Sequence, residues 1–238
     1  MKKKFKLLFK LSCIVFCLVA FWQTANAQEI TAKAKIRQPA TQSSKKVNQR
    51  PVAKGTKITA VSALFDKASV ETMAEQCVKF ETGAGIIELE MFPERAPESV
   101  RNFLNLTAAK AFDTTTFNRV VPGFIVQGGD IFTREKVTPE LDERARQTLI
   151  DEPNLIKHER GILSMARTDA PNSATTNFFI LVGQAKHLDG TFTAFGRVTR
   201  GMEIVDLINK MPLNGEKPTK PVRLIRATTA VCTAQAAQ

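Results

Sequence analysis

The chain has 238 residues, 43% apolar and 24% charged, long enough to bury a sizeable core and too apolar for wholesale disorder. Its formal charge is +11, which taken alone suggests a nucleic-acid or membrane-surface partner. The excess lies entirely ahead of residue 58: residues 1–27 hold five lysines and no acid, residues 28–57 hold eight bases against Glu29, and the remaining 181 residues hold 21 bases against 22 acids, which disfavours a basic nucleic-acid-binding fold.

Lys2, Lys3, Lys4, Lys6 and Lys10 precede twelve mostly apolar residues, Leu11 to Trp22, and then Ala25-Asn26-Ala27. A basic start, a short apolar run and a small-x-small end make a secretory signal peptide over 1–27, with cleavage after Ala27. The other reading is an uncleaved anchor, but a span needs roughly 20 apolar residues. Cys13 and Cys17 leave with the peptide. Residues 28–57 are rich in Gln, Lys, Ala and Thr and poor in large apolar side chains, so they read as a basic disordered linker. It serves either as a solvated spacer or as a loose electrostatic attachment to anionic envelope material. Val61, Leu64, Phe65, Val70 and Met73 give a short helical lead-in over 58–76.

The folded domain is expected over 77–232, with a disordered tail at 233–238. Cys77 to Phe80 and Ile86 to Met91 read as strands around Gly83-Ala84-Gly85, with Ile87, Leu89 and Met91 alternating with Glu88 and Glu90. Ala96-Pro97-Glu98-Ser99 opens a helix whose buried stripe is Val100, Phe103, Leu104 and Leu106. Further short strands are expected at Phe117 to Val121, Phe124 to Gln127, Ile162 to Met165, Asn177 to Val182, Phe192 to Val198 and Val222 to Thr229. A second helix runs from Met202 to Met211 and ends at Pro212. Residues 131–160 read as a long irregular connection, the kind of segment that often carries function. Many short strands and two helices without βαβ alternation favour an antiparallel barrel or sandwich.

Much chemistry has no carrier. There is no G-x-S-x-G elbow, Walker loop, HExxH or G-x-G-x-x-G. His158 is followed by Glu159-Arg160-Gly161, and two histidines leave little room for a zinc set or a hydrolase triad. Cys77 and Cys232 survive processing in an exported chain that can keep disulfides, so they are either partners or free thiols.

Phe117-Asn118-Arg119-Val120-Val121-Pro122-Gly123-Phe124-Ile125-Val126-Gln127-Gly128-Gly129-Asp130 is unusual. It sets one Arg and one Gln among apolar strand residues. Alternate side chains share a face, so Arg119 pairs with Val121, and Ile125 with Gln127. Such a strand pair makes a mostly apolar cleft with few polar anchors. The plainer reading is an Arg packing its stem on a barrel rim.

This stretch, together with Ile162-Leu163-Ser164-Met165-Ala166-Arg167, Thr176-Asn177-Phe178-Phe179-Ile180 and Leu188-Asp189-Gly190 through Phe195-Gly196-Arg197-Val198, resembles the cyclophilin family of peptidyl-prolyl cis–trans isomerases. The order and spacing match from about Cys77 to Val231. With the signal peptide, the similarity is greatest to the periplasmic bacterial members. The resemblance implies a mainly β fold, a closed eight-stranded antiparallel barrel capped by two α-helices. It implies Arg119 as the catalytic group, with Phe124 and Gln127 beside it and Gln127 binding peptide backbone. Ile125, Phe179 and Leu188 join Phe124 in a proline pocket. Ala166, Arg167 and Asn177 edge the groove, and His187 and Phe192 adjoin it. It also makes the first and last strands neighbours, so a Cys77–Cys232 disulfide is expected.

No cofactor or metal is implied. The partners implied are proline-containing unfolded or extended polypeptides, with no nucleic acid, no stable membrane insertion after signal cleavage, and a monomeric state. The implied role is folding assistance for exported proteins in the periplasm. The alternative is a proline-peptide-binding chaperone or scaffold with weak or no isomerase activity. Four positions depart from the family pattern. Asn118 stands where His is usual, Asn177 where Gln is commoner, His187 where Trp or Phe is found, and Phe192 where His or Tyr is found. The His187 departure bears on tight cyclosporin binding.

Overall fold

A computed structural model of the protein describes residues 64–232. The expected signal peptide, basic linker, lead-in residues up to 63 and tail 233–238 lie outside the described residues. In chain order the elements are α1 (Val70–Ala74), β1 (Gln76–Thr82), β2 (Gly85–Met91), α2 (Pro97–Ala108), β3 (Arg119–Val121), β4 (Ile125–Gly128), α3 (Pro139–Ala145), β5 (Ile162–Met165), β6 (Phe178–Leu181), β7 (Ala194–Arg200), α4 (Met202–Asn209), β8 (Leu213–Asn214), β9 (Lys217–Pro218) and β10 (Leu224–Val231). Two 3-10 turns, Ile131–Thr133 and Lys186–Leu188, complete the list.

Eight strands form one antiparallel sheet in the order β10-β1-β2-β7-β5-β6-β4-β3, and β8 pairs only with β9. The expected closed barrel is therefore corrected to a curled sheet whose ladder ends at β10 and β3. Between these edges lies one isolated bridge, Thr116 to Arg223, with Phe117 N–H donating to the Val222 carbonyl and Leu224 N–H to that of Thr115. The segments just before β3 and β10 are irregular and do not continue the ladder.

The period-2 pattern splits this sheet into two faces. Val120, Val126, Ile180 and Leu163 lie side by side across β3, β4, β6 and β5 and belong to the main core. That core holds the fully buried Phe117 and a cluster of five fully buried rings, Phe80, Phe103, Phe112, Phe178 and Phe195, whose contacting centroids lie 5.1–6.5 Å apart in tilted and edge-on contacts. The opposite face carries a second apolar cluster around Ile125, Phe179, Leu181 and Leu188.

The two expected helices are α2 and α4, joined by the shorter α1 and α3. Pro97 sits in the first turn of α2, but the N-cap Ala96 has no side chain to offer. The cap comes from far along the chain. Glu152 accepts from Glu98 N–H at 3.0 Å, from Ser99 N–H at 2.8 Å and from the Ser99 hydroxyl at 2.7 Å. A carboxylate is well placed there because unpaired N–H groups and the helix dipole both favour negative charge.

The expected irregular segment 131–160 is also corrected. It holds one 3-10 turn and α3, which Thr138 caps through Leu141 N–H and which buries Leu141 and Ala145 one turn apart.

Cys77 on β1 and Cys232 just past β10 are joined by an Sγ–Sγ bond of 2.15 Å, with Cα atoms 4.9 Å apart and 155 residues of separation. β1 and β10 are paired neighbours, which brings the two residues together.

Candidate active site

The β3–β4 hairpin turns through Val121-Pro122-Gly123-Phe124. Phe124 N–H donates to the Val121 carbonyl at 3.0 Å, and Gly123 has φ 71°. Proline fixes the first central residue, and the left-handed second one favours glycine, as in a type II turn. From α4 the buried Asn209 pins this turn. Its Oδ1 accepts Gly123 N–H at 2.9 Å, and its Nδ2 donates to the Val121 and Ile125 carbonyls at 3.0 Å each. Farther on, Gly129 (φ 84°) passes so close to the Thr176 carbonyl that a Cβ would lie 2.4 Å from it.

With the turn fixed, the register places Arg119 directly opposite Gln127, and Gln127 opposite Phe179 on β6. Directly opposite residues of antiparallel strands share a face, so these three side chains stand in one row. Ser164 of β5 continues it beyond Phe179. Arg119 Nη1 donates to Gln127 Oε1 at 3.1 Å, and Arg119 Nε donates to Glu216 Oε2 at 2.6 Å. The Arg119 side chain is 41% exposed, so its guanidinium is open to solvent on the groove face.

The row borders the second apolar cluster. Ile125, Phe179 and Leu188 are buried in it, while Phe124, Ala166 and Phe192 pack on it half-exposed. Phe179 and Phe192 meet edge to face at 6.2 Å. The Arg167 guanidinium lies 4.6 Å above the Phe192 ring, a cation–π contact, and pairs with Asp151 at 3.6 Å. His187 stacks at 5.6 Å on Phe124. The Asn177 carbonyl accepts from Ala166 N–H at 3.0 Å. Asn118 lies next to the row but donates to Asp130 at 3.1 Å.

A polar group lies beneath this floor. His158 Nε2 and Ser164 Oγ are 3.2 Å apart, and the Ser164 hydroxyl donates to the Thr193 carbonyl at 2.9 Å. Burial pushes the His158 pKa below its ordinary value, partly offset by Asp189, whose Oδ1 lies 3.4 Å from Nδ1. Asp189 is itself held below the usual carboxylate range, chiefly because His158 N–H donates to it.

Glu216, Asp151, Ser164 and His158 were not singled out as site residues from the sequence. Glu216 and Asp151 are ordinary acids in turns and loops, and no local pattern marks them. His158 was visible as one of two histidines, but its burial depends on the fold. Among the described residues no group of three or more His, Cys, Asp and Glu could hold a metal. A concavity of about 520 Å³ between Pro122-Gly123 and Asp206, Asn209 and Lys210 includes none of the groove residues named above.

The arrangement is one guanidinium and one amide at the edge of an apolar, aromatic-lined depression. It can hold an apolar ring and offer hydrogen bonds to a polar backbone. Residues 77–229 match the family model for cyclophilin type peptidyl-prolyl cis-trans isomerases. The chain is 37% identical over 157 residues to the peptidyl-prolyl cis-trans isomerase cypE of Dictyostelium discoideum, covering 66% of this chain and 99% of that protein. A peptidyl-prolyl cis-trans isomerase of Acinetobacter baylyi is 34% identical over 169 residues, covering 66% of this chain and 87% of that protein. A solved Cryptosporidium parvum cyclophilin type isomerase, crystallised in the presence of the dipeptide Ala-Pro, is similar at a TM-score of 0.58 and 28% identity, covering 66% of this chain and 99% of that one. An apolar groove edged by a paired Arg and Gln, on this sheet, thus belongs to a member of the cyclophilin-type peptidyl-prolyl cis–trans isomerase family.

Proposed function

We propose that the groove binds proline-containing stretches of unfolded or extended polypeptide, and that Arg119 catalyses rotation about their X–Pro bonds. The supporting observation is the cross-strand pair of Arg119 and Gln127 beside Phe179. The barrier to rotation is ~18–20 kcal/mol because amide resonance is lost in the twisted state. In that state the prolyl nitrogen regains a lone pair. A guanidinium donor aimed at it stabilises the twisted amide and not the planar one, and that difference is what accelerates a reaction. A guanidinium brings its donors without a tuned base or acid beside it.

In this reading Phe124, Ile125, Phe179 and Leu188 hold the proline ring, with Phe192 closing one side. Gln127 orients Arg119 and meets the peptide backbone. Ala166, Arg167 and Asn177 form the groove edge, and His187 covers Phe124. No bond is made or broken, so neither nucleophile nor cofactor enters.

The proposed setting is the periplasm, with the protein acting as a monomer on exported chains. The lysine-led apolar start ending at Ala27 and the Cys77–Cys232 bond support this. A second reading, a proline-peptide holdase, draws support from the carboxylate already seated on Arg119. Two-dimensional NMR exchange on a proline peptide separates them. Isomerase action gives cis–trans exchange cross-peaks at catalytic protein concentration, whereas a holdase gives shifted peptide signals without exchange.

A further inference from the structure

β8 and β9 form a two-stranded hairpin of their own, turning through Gly215 (φ 62°) and Glu216. Packing does not call for an acid at this tip, since the Glu216 side chain is 55% exposed. Two separate contacts nevertheless tie Glu216 to the strand that carries Arg119. Val120 N–H donates to the Glu216 carbonyl at 2.7 Å, and Arg119 Nε donates to its carboxylate at 2.6 Å. The backbone contact fixes where the carboxylate can be, and the carboxylate fixes where the guanidinium can be.

A guanidinium is planar and carries five donors on three nitrogens. Glu216 engages Nε and Gln127 engages Nη1, the two side-chain partners of Arg119 among the described residues. Held at two of three nitrogens, the plane cannot swing with its flexible stem, and among the described residues Nη2 has no partner. Without Glu216 the single bond to Gln127 leaves rotation about the remaining side-chain torsions. Arg119 would then have to be ordered in the rotation step itself.

We propose that Glu216 is a positioning residue for Arg119, holding its guanidinium in the orientation that meets the twisted prolyl amide. This rests on the reading of Arg119 as the catalytic group. A positioning role confined to the transition state predicts an effect on kcat rather than on KM.

The test measures kcat and KM for wild type, Glu216→Ala, Glu216→Gln, Arg119→Ala and the Arg119→Ala/Glu216→Ala double variant, alongside the side-chain Nε–H signal of Arg119 in 15N NMR. Glu216→Ala is expected to lower kcat by about three- to tenfold with KM unchanged, and to shift the Arg119 Nε–H signal. Glu216→Gln should restore most of kcat, since its amide oxygen still accepts from Nε. In the Arg119→Ala background the Glu216 substitution should add nothing. The proposal is overturned if Glu216→Ala keeps or raises kcat, if its loss persists undiminished without Arg119, or if the Nε–H signal does not move. Full activity in Arg119→Ala alone is a different failure, that of the catalytic reading of Arg119.

Discussion

Arg119 and Gln127 face each other across β3 and β4, and Arg119 Nη1 donates to Gln127 Oε1 over 3.1 Å. The pairing follows from the Pro122-Gly123 turn. A one-residue slip would send either side chain to the opposite face. Gln127→Ala is therefore expected to lower kcat/KM about threefold to tenfold, the scale of one partly exposed hydrogen bond to a charged group. Thermal stability should change little. Unchanged kcat/KM would show that Gln127 neither orients Arg119 nor binds substrate.

The Cys77–Cys232 bond closes a loop of 155 residues in sequence separation. Chain-entropy reasoning gives such a link about 2–5 kcal/mol of stability. Reduction, or Cys77→Ser with Cys232→Ser, should lower the denaturant midpoint accordingly. Isomerase activity at low temperature should persist, because the bond lies on β1 and beside β10, while the groove is built on β3 to β7. An unchanged midpoint after reduction would contradict the stabilising role.

Glu152 caps α2 from more than 50 residues away, through three hydrogen bonds. The same segment is tied to the β7 region by Glu152 N–H donating to Thr193 Oγ1 and by the Asn154 amide donating to the Ala194 carbonyl, at 2.9 Å each. It also brings Asp151 to Arg167 at the groove edge. Glu152→Ala should cost about 1–3 kcal/mol of stability, by loss of the cap and of bonds to a charged group. Proteolysis near residues 150–156 should also become faster. Wild-type stability in this variant would mean that the cap contributes nothing.

His158 is buried and its pKa is lowered by burial. The unfolded chain binds a proton near pH 6.5 and the folded protein only at lower pH, so between these values the unfolded state holds more protons. Stability is fully present above pH 6.5 and is lost as pH falls through and below it. The melting temperature of wild type should therefore fall between pH 7 and pH 5. His158→Gln should melt lower at pH 7 but show a flatter dependence across that range. Equal slopes for the two proteins would rule His158 out as the source.

All eight strands of the main sheet and both longer helices were readable, from short apolar runs that alternate as in β2 or are continuous as in β5 and β6, and from the Gly, Pro and Asp turns between them. Ile87, Leu89 and Met91 are buried as expected, and Ile162 to Met165 fall on β5 as expected. Three of the eight strands begin two residues later than expected, β3 at Arg119, β7 at Ala194 and β10 at Leu224; ahead of β3 and β10, Phe117 N–H bonds to the Val222 carbonyl outside the ladder. α3 was missed although Thr138-Pro139-Glu140 has the same opening chemistry as Pro97-Glu98, because the surrounding charge masked the Leu141–Ala145 stripe. The β8–β9 hairpin was missed because two-residue strands carry no period.

At the site, Arg119 and Gln127 stood out as polar residues within apolar strands. Glu216 did not, because only the fold carries position 216 back to position 119. The cap from Glu152 and the burial of His158 were hidden for the same reason, since each depends on contacts far apart in sequence.

Arg119 is the proposed catalytic group, and the most direct measurement of that role is kcat/KM on a proline peptide for wild type and Arg119→Ala, each first shown to be folded. The expected result is a drop of at least about tenfold, equivalent to ~1.4 kcal/mol of lost transition-state stabilisation. An Arg119→Ala protein that isomerises the peptide as fast as wild type would contradict it.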